Sequence, residues 1–158
     1  LDTMDFWMQI ALDDLLNVIK EIDVLTINDE EARLLSGELS LKKAANKILT
    51  MGPKYLIIKK GEHGALLFDK NNRIFSAPAL LLEEVFDPTG AGDTFAGGFM
   101  GYLSSQEEIN WDTMKKAIIV GSAMASFTVE KFGIERLVSL SQSEIDTRIN
   151  QFREMTRF

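Results

Sequence analysis

The chain contains no cysteine, a single histidine and three prolines in 158 residues. No disulfide framework, Cys-based zinc site or thiol nucleophile can be built from it, and nothing in it requires an oxidising compartment. Basic residues are outnumbered: 17 Lys and Arg against 24 Asp and Glu leave a formal charge of −7. A nucleic-acid surface needs clustered Lys and Arg, so that class is excluded, whereas a local anion site is not. No apolar run approaches the ~18 residues of a membrane span. The first residues, LDTMDFWMQI, lack a basic leader ahead of a long apolar core. The expectation is a cytoplasmic protein with no nucleic-acid and no membrane partner. The chain opens on Leu1 rather than Met, which suggests a processed chain or a fragment.

What is present is enough apolar material, 46% of residues, for one ordinary domain with a core. Trp7, Ile10, Ala11, Leu15, Val18, Ile19 and Ile22 recur near every 3.6 residues and predict one helix over 4–22. VLTI at 24–27 reads as a buried strand ending at Asn28, followed by a short helix over 30–35 that stops at Gly37. Ser40 can cap a helix closed by Gly52 and Pro53. YLIIKK and ALLFD read as strands joined by GEHG, with KNN turning into RIFSA, and LLLEEVF as extended chain. Helices are expected over 93–103, 111–129 and 143–155. Alternating strands and helices predict a layered α/β fold with a mostly parallel sheet flanked by helices.

The stretch DPTGAGDTFAGGF, 87–99, places a Gly-rich turn before an apolar-periodic helix. The N–H groups of Gly90, Ala91, Gly92 and Asp93 would lie at the helix N-terminus, where free donors and the helix dipole attract anions. A tight strand-to-helix connection, with Asp93 merely favouring the helix start, accounts for the same residues. The acid is the odd member, because a carboxylate repels the phosphate that the amides attract. A base beside an anion hole could instead take a proton from an alcohol while the amides stabilise charge on a transferring phosphoryl group. No GxxxxGK[ST] occurs, and GAGDTF has Phe95 where the dinucleotide fingerprint needs a third glycine.

DPTGAGDTFAGGFM resembles the C-terminal signature of the ribokinase-like (PfkB) family of carbohydrate and nucleoside kinases. NDEE at 28–31 resembles that family's NxxE motif, KKGEHGALLF its nucleotide-binding strand-turn-strand, and AIIVGSAMASFTVEKFG its adenine-side helix. The resemblance implies an ATP-dependent kinase acting on a hydroxymethyl group of a sugar or nucleoside. It makes Asp93 the catalytic base, with Gly90, Ala91 and Gly92 completing the anion hole. It implies Mg²⁺ held through Glu31 with Asn28 near the phosphates, and nucleotide contacts from Asn28, Lys59, Lys60, Gly61, Gly64, Gly92 and Ser122. A K⁺ site is the further candidate it implies, at Asp87 and Thr89 with carbonyls from around Thr128 and Gly133.

Three positions depart from the family pattern: Lys59 stands for a strand-end threonine, Pro88 for a common threonine, and Ser122 for a longer polar residue. His63, in the turn, is given no role. On residue types alone, Asn28 as a helix cap with Glu31 as a first-turn acid remains open, as does GEHG as an ordinary hairpin. The family also has an N-terminal half with the sugar-binding residues and lid. The reading is that 1–158 is the ATP-side portion alone, with LDTM the end of a cut strand, a homodimer expected and the isolated chain inactive. The competing class is a non-catalytic nucleotide-binding or interaction domain.

Overall fold

The computed structural model describes residues 1–157. The chain divides into two compact units, residues 1–61 with 65–76, and residues 62–64 with those from Ala77 onward.

In the first unit, β1 (Val24–Asn28), β2 (Tyr55–Lys59), β3 (Ala65–Asp69) and β4 (Ile74–Ala77, whose last residue belongs to the second unit) lie in that order in one sheet. β1 and β2 are parallel, with Asn28 opposite Lys59, and β2 and β3 are antiparallel, with Lys59 opposite Ala65. The layered α/β arrangement is as expected, and its sheet is mixed. A crossover helix can join parallel strands, whereas the short turn at 61–64 can only return the chain antiparallel. Leu25, Ile27, Leu56 and Ile58 are fully buried in the core.

α4 (Leu41–Leu49) buries Ala44, Ala45, Ile48 and Leu49, and Ser40 caps it by accepting the Lys43 N–H at 3.5 Å. α3 (Asp29–Ser36) ends at Gly37 in the left-handed region, φ +70°. The single helix expected over 4–22 is instead two, α1 (Asp5–Ile10) and α2 (Leu12–Glu21), broken where Ala11 takes φ −147°, ψ 43°. Alanine is an excellent helix former, so the break is tertiary. It lets α2 bury Leu15 and Ile19 while α1 buries only Met8 and leaves Phe6, Trp7 and Ile10 exposed. LDTM lies along β1 through a parallel bridge between Asp2 and Thr26.

The second unit is helical: α5 (Ala91–Ser104), α6 (Trp111–Thr128) and α7 (Gln142–Thr156). Phe95, Phe99 and Leu103 recur every four residues and are buried. Gly121 of α6 lets the two helices touch, since a β-carbon there would lie 2.7 Å from the Phe95 carbonyl oxygen. LLLEEVF, 80–86, expected as extended chain, forms no strand. Its end is pinned where the Phe86 N–H donates to the Val129 carbonyl at 2.8 Å.

Candidate active site

α5 begins in an unusual way. Its N-cap is Gly90, left-handed at φ +80°, and no side chain caps the helix. Open space surrounds the place where a Gly90 β-carbon would be. Ala91 N–H reaches the Pro88 carbonyl at 3.2 Å and Thr94 N–H the Gly90 carbonyl at 2.9 Å. The N–H groups of Gly92 and Asp93 find no backbone acceptor among the described residues. Two free donors at the positive end of a helix suit an anion. Asp93 stands exposed on the same first turn.

Just upstream, Asp87 Oδ1 accepts the Thr89 N–H at 2.9 Å, and that bond holds the Asp87 carboxyl below its ordinary range. The Phe86–Val129 bond ties this segment to the C-terminal end of α6. There Thr128 is 3% exposed, its hydroxyl without a hydrogen-bond partner among the described residues. Gly133 is left-handed at φ +57°. Ser122 is half-buried on α6.

In the first unit, Asn28 Oδ1 accepts the Glu31 N–H at 2.7 Å, and Glu31 Oε2 accepts the Asn28 N–H at 2.7 Å. Asn28 caps the helix as residue types alone suggested, and Glu31, expected only as a first-turn acid, closes a reciprocal capping box. It occupies one oxygen of Glu31 and leaves the other. Glu31 is only 6% exposed. Burial raises its pKa; the Asn28 N–H and Lys59 oppose that shift, and Asp2 and Asp5 add to it.

Lys59, opposite Asn28, is gripped by Asp2 at 2.7 and 2.8 Å. Sequence reasoning gave Asp2 no role, and 57 residues separate the pair, so only the fold reveals it. Lys60 is half-buried beside it. Gly61 and Gly64 are left-handed at φ +53° and +82°, and a β-carbon on Gly64 would collide with the Ala77 carbonyl. His63 is exposed.

Among the described residues no group of three His, Cys, Asp or Glu is set to hold a metal. Mg²⁺ is commonly bound through one or two carboxylates plus phosphate, and the buried Glu31 with its spare oxygen fits that pattern. No described helix is long and apolar enough to cross a membrane. A groove of about 240 Å³ is lined in part by Phe127, Arg136, Glu144 and Arg148. Its arginines are already paired with Glu130 and Glu144 at 2.6–3.0 Å. It is therefore a salt-bridge network rather than a vacant anion site.

Uncapped amides with an acid on the same first turn of a helix form an arrangement suited to an anion. The chain belongs to the pfkB family of carbohydrate kinases, which is matched over residues 4–139. It is 32% identical over 122 residues to a cytidine kinase of Thermococcus kodakarensis, covering 77% of this chain and 42% of that one. It is 34% identical over 124 residues to a ribokinase of Staphylococcus aureus, covering 75% and 39%. The chain thus spans less than half the length of these curated relatives. A crystal structure of ribokinase from Thermotoga maritima is similar at TM-score 0.72 and 31% identity, over 85% of this chain and 44% of that one. Aminoimidazole riboside kinase from Salmonella enterica, solved with its riboside and an ATP analogue, shares the fold at TM-score 0.77 and 24% identity, over 90% and 47%.

Proposed function

We propose that the protein carrying this chain transfers the γ-phosphoryl group of ATP to a hydroxymethyl group of a sugar or nucleoside. The observation that carries this reading is the start of α5, where two amides without a partner among the described residues share a turn with an exposed carboxylate. Asp93 accepts the alcohol proton as the alcohol oxygen bonds to the γ-phosphorus. The bond from that phosphorus to the β-bridging oxygen breaks, and ADP leaves with the electron pair. The Ala91 N–H is engaged with the Pro88 carbonyl, so the amides of Gly92 and Asp93 hold the negative charge on the transferring oxygens, a role in which a single donor is worth roughly 10²–10³-fold in rate.

Glu31 and Asn28 would hold Mg²⁺, which supplies neutralising charge to the phosphates. Asp87 and Thr89, with carbonyls near Thr128 and Gly133, would hold K⁺. The Thr128 hydroxyl, without a hydrogen-bond partner among the described residues, and the Phe86–Val129 tie support that assignment. Lys59, Lys60, Gly61, Gly64 and Ser122 serve the nucleotide. Similarity to a cytidine kinase and a ribokinase supports a sugar or nucleoside acceptor.

The test is an acceptor screen that follows ADP release from ATP·Mg²⁺ with pentoses, hexoses and nucleosides. Acceptor-dependent ADP release with at least one of them is expected. Absence of release across the panel, from protein shown to be folded, contradicts the reading.

A further inference from the structure

Residues 80–87 lead into the start of α5 with little to hold them. Leu81, Val85 and Phe86 are all more than half exposed. Among the described residues, the backbone bond that links 80–87 to another element is the one from the Phe86 N–H to the Val129 carbonyl, at 2.8 Å. Asp87 comes next and accepts the Thr89 N–H, and the chain then runs through Gly90 into the first turn of α5, which carries Asp93. Where that turn lies is therefore set in part by where Val129 lies.

Val129 is the C-cap of α6, and the residue after it is held on both of its oxygens. Glu130 Oε2 accepts from Arg136 at 3.0 Å, and Glu130 Oε1 accepts from Arg148 of α7 at 2.6 Å. Arg148 also donates to Ser126 Oγ at 2.7 Å. Its guanidinium lies over the Phe127 ring at 3.9 Å, with that of Arg136 over the same ring at 5.0 Å. None of the three charged side chains is more than 25% exposed, and pairs so sheltered are screened less than exposed ones. Ser126, Phe127 and Glu130 are thus all fastened to α7, and Val129 stands between them.

The bonds form one contiguous chain. It runs from α7 to Glu130, along the backbone to Val129, across to Phe86, and on to Asp87 and Gly90.

We propose that Glu130 is a positioning residue: held by Arg136 and Arg148, it fixes the Val129 carbonyl, which through the Phe86 N–H sets the turn carrying Asp93 and the free amides of α5. The effect on rate rests on the kinase reading. The mechanical link to residues 86–93 does not.

The test compares Glu130→Gln with Glu144→Gln in the protein carrying this chain. Glu144 is the control because it pairs with Arg136 and not with Arg148, which still holds Glu130 in its absence. Amide hydrogen exchange over residues 86–93 should quicken in Glu130→Gln and stay near wild type in Glu144→Gln. At saturating ATP·Mg²⁺ and acceptor, kcat should fall by about tenfold or more in Glu130→Gln, since small misplacements of reacting groups are costly. It should hold in Glu144→Gln. In an Asp93→Asn background the loss caused by Glu130→Gln should shrink, because a positioning effect needs the group it positions. Arg148→Lys keeps the charge but loses the fork that spans Glu130 and Ser126, and it should show the Glu130→Gln pattern more weakly.

Loosened packing of α6 on α7 alone would lower kcat alike in Glu130→Gln and Glu144→Gln, and that result overturns the proposal. Unchanged exchange over 86–93 in Glu130→Gln also overturns it, as does wild-type kcat in that variant. Wild-type protein with no acceptor-dependent turnover removes the kinase reading and the rate claim with it. Unchanged exchange in a protein that does turn over removes this proposal alone.

Discussion

Glu31 carries two demands that pull in opposite directions. Its carboxyl closes the capping box of α3, and burial makes its charged form costly. Because burial raises its pKa, the folded state holds the proton more tightly than the unfolded chain does. Stability from this group is therefore greatest below the ordinary carboxylate pKa and declines as pH rises through the raised value. Glu31→Gln keeps an N3 side chain that can accept the Asn28 N–H and removes the titration. The variant should match or exceed wild-type stability at neutral pH, and its advantage should grow as pH rises from about 4 to about 7; urea unfolding across that range checks this. If Glu31 holds Mg²⁺, the same variant should lose Mg²⁺-dependent nucleotide affinity, a gain of stability set against function. A Gln variant destabilised equally at every pH would show the cap, not the charge, to be what matters.

Helix α6 is held on its two sides by different means. Toward α5 the contact is steric: Gly121 lies against the Phe95 carbonyl, a backbone atom that cannot rotate away. Gly121→Ala should destabilise by about 1–3 kcal/mol as the helices are forced apart, and a lowered denaturant midpoint checks it. Toward α7 the contact is ionic. Arg148 reaches Glu130 at 2.6 Å and lies over the Phe127 ring at 3.9 Å, while Arg136 reaches Glu130 and Glu144. The Ser141 N–H and then Arg136 pull the Glu144 carboxyl down to about 2. Its contribution is thus present above the ordinary carboxylate range and lost as pH falls toward that value. The stability gap between wild type and Glu144→Gln should narrow on acidification from about 5 to about 2, which acid-series unfolding curves would show.

The elements themselves were largely legible. The 3.6-residue spacing placed α4, α5, α6 and α7 to within a few residues, and β-branched runs placed β1 and β2. The break at Ala11 was not, because no local residue dictates it and only the burial of Leu15 and Ile19 rewards it.

Taken as one chain, the charge of −7 makes any site for a nucleotide polyphosphate a local exception to a repelling field. On the proposed function, the Gly-rich turn before α5 is that exception. Glycine at 90 and an acid at 93 could be read directly, since a left-handed N-cap and an uncapped helix start are local properties. The Asp2–Lys59 grip and the Phe86–Val129 tie could not, because each joins distant segments that only the fold brings together.

The central claim is that Asp93 is a base rather than a helix-start acid, and the steady-state kcat of Asp93→Asn beside wild type, at saturating ATP·Mg²⁺ and acceptor, tests it most directly. The substitution keeps size and shape and cannot accept the alcohol proton. A positioned base is worth roughly 10²–10⁴-fold, so kcat should fall by about that factor while ATP affinity holds or rises. Wild-type kcat in Asp93→Asn would contradict the account and leave the turn as a phosphate-binding connection only.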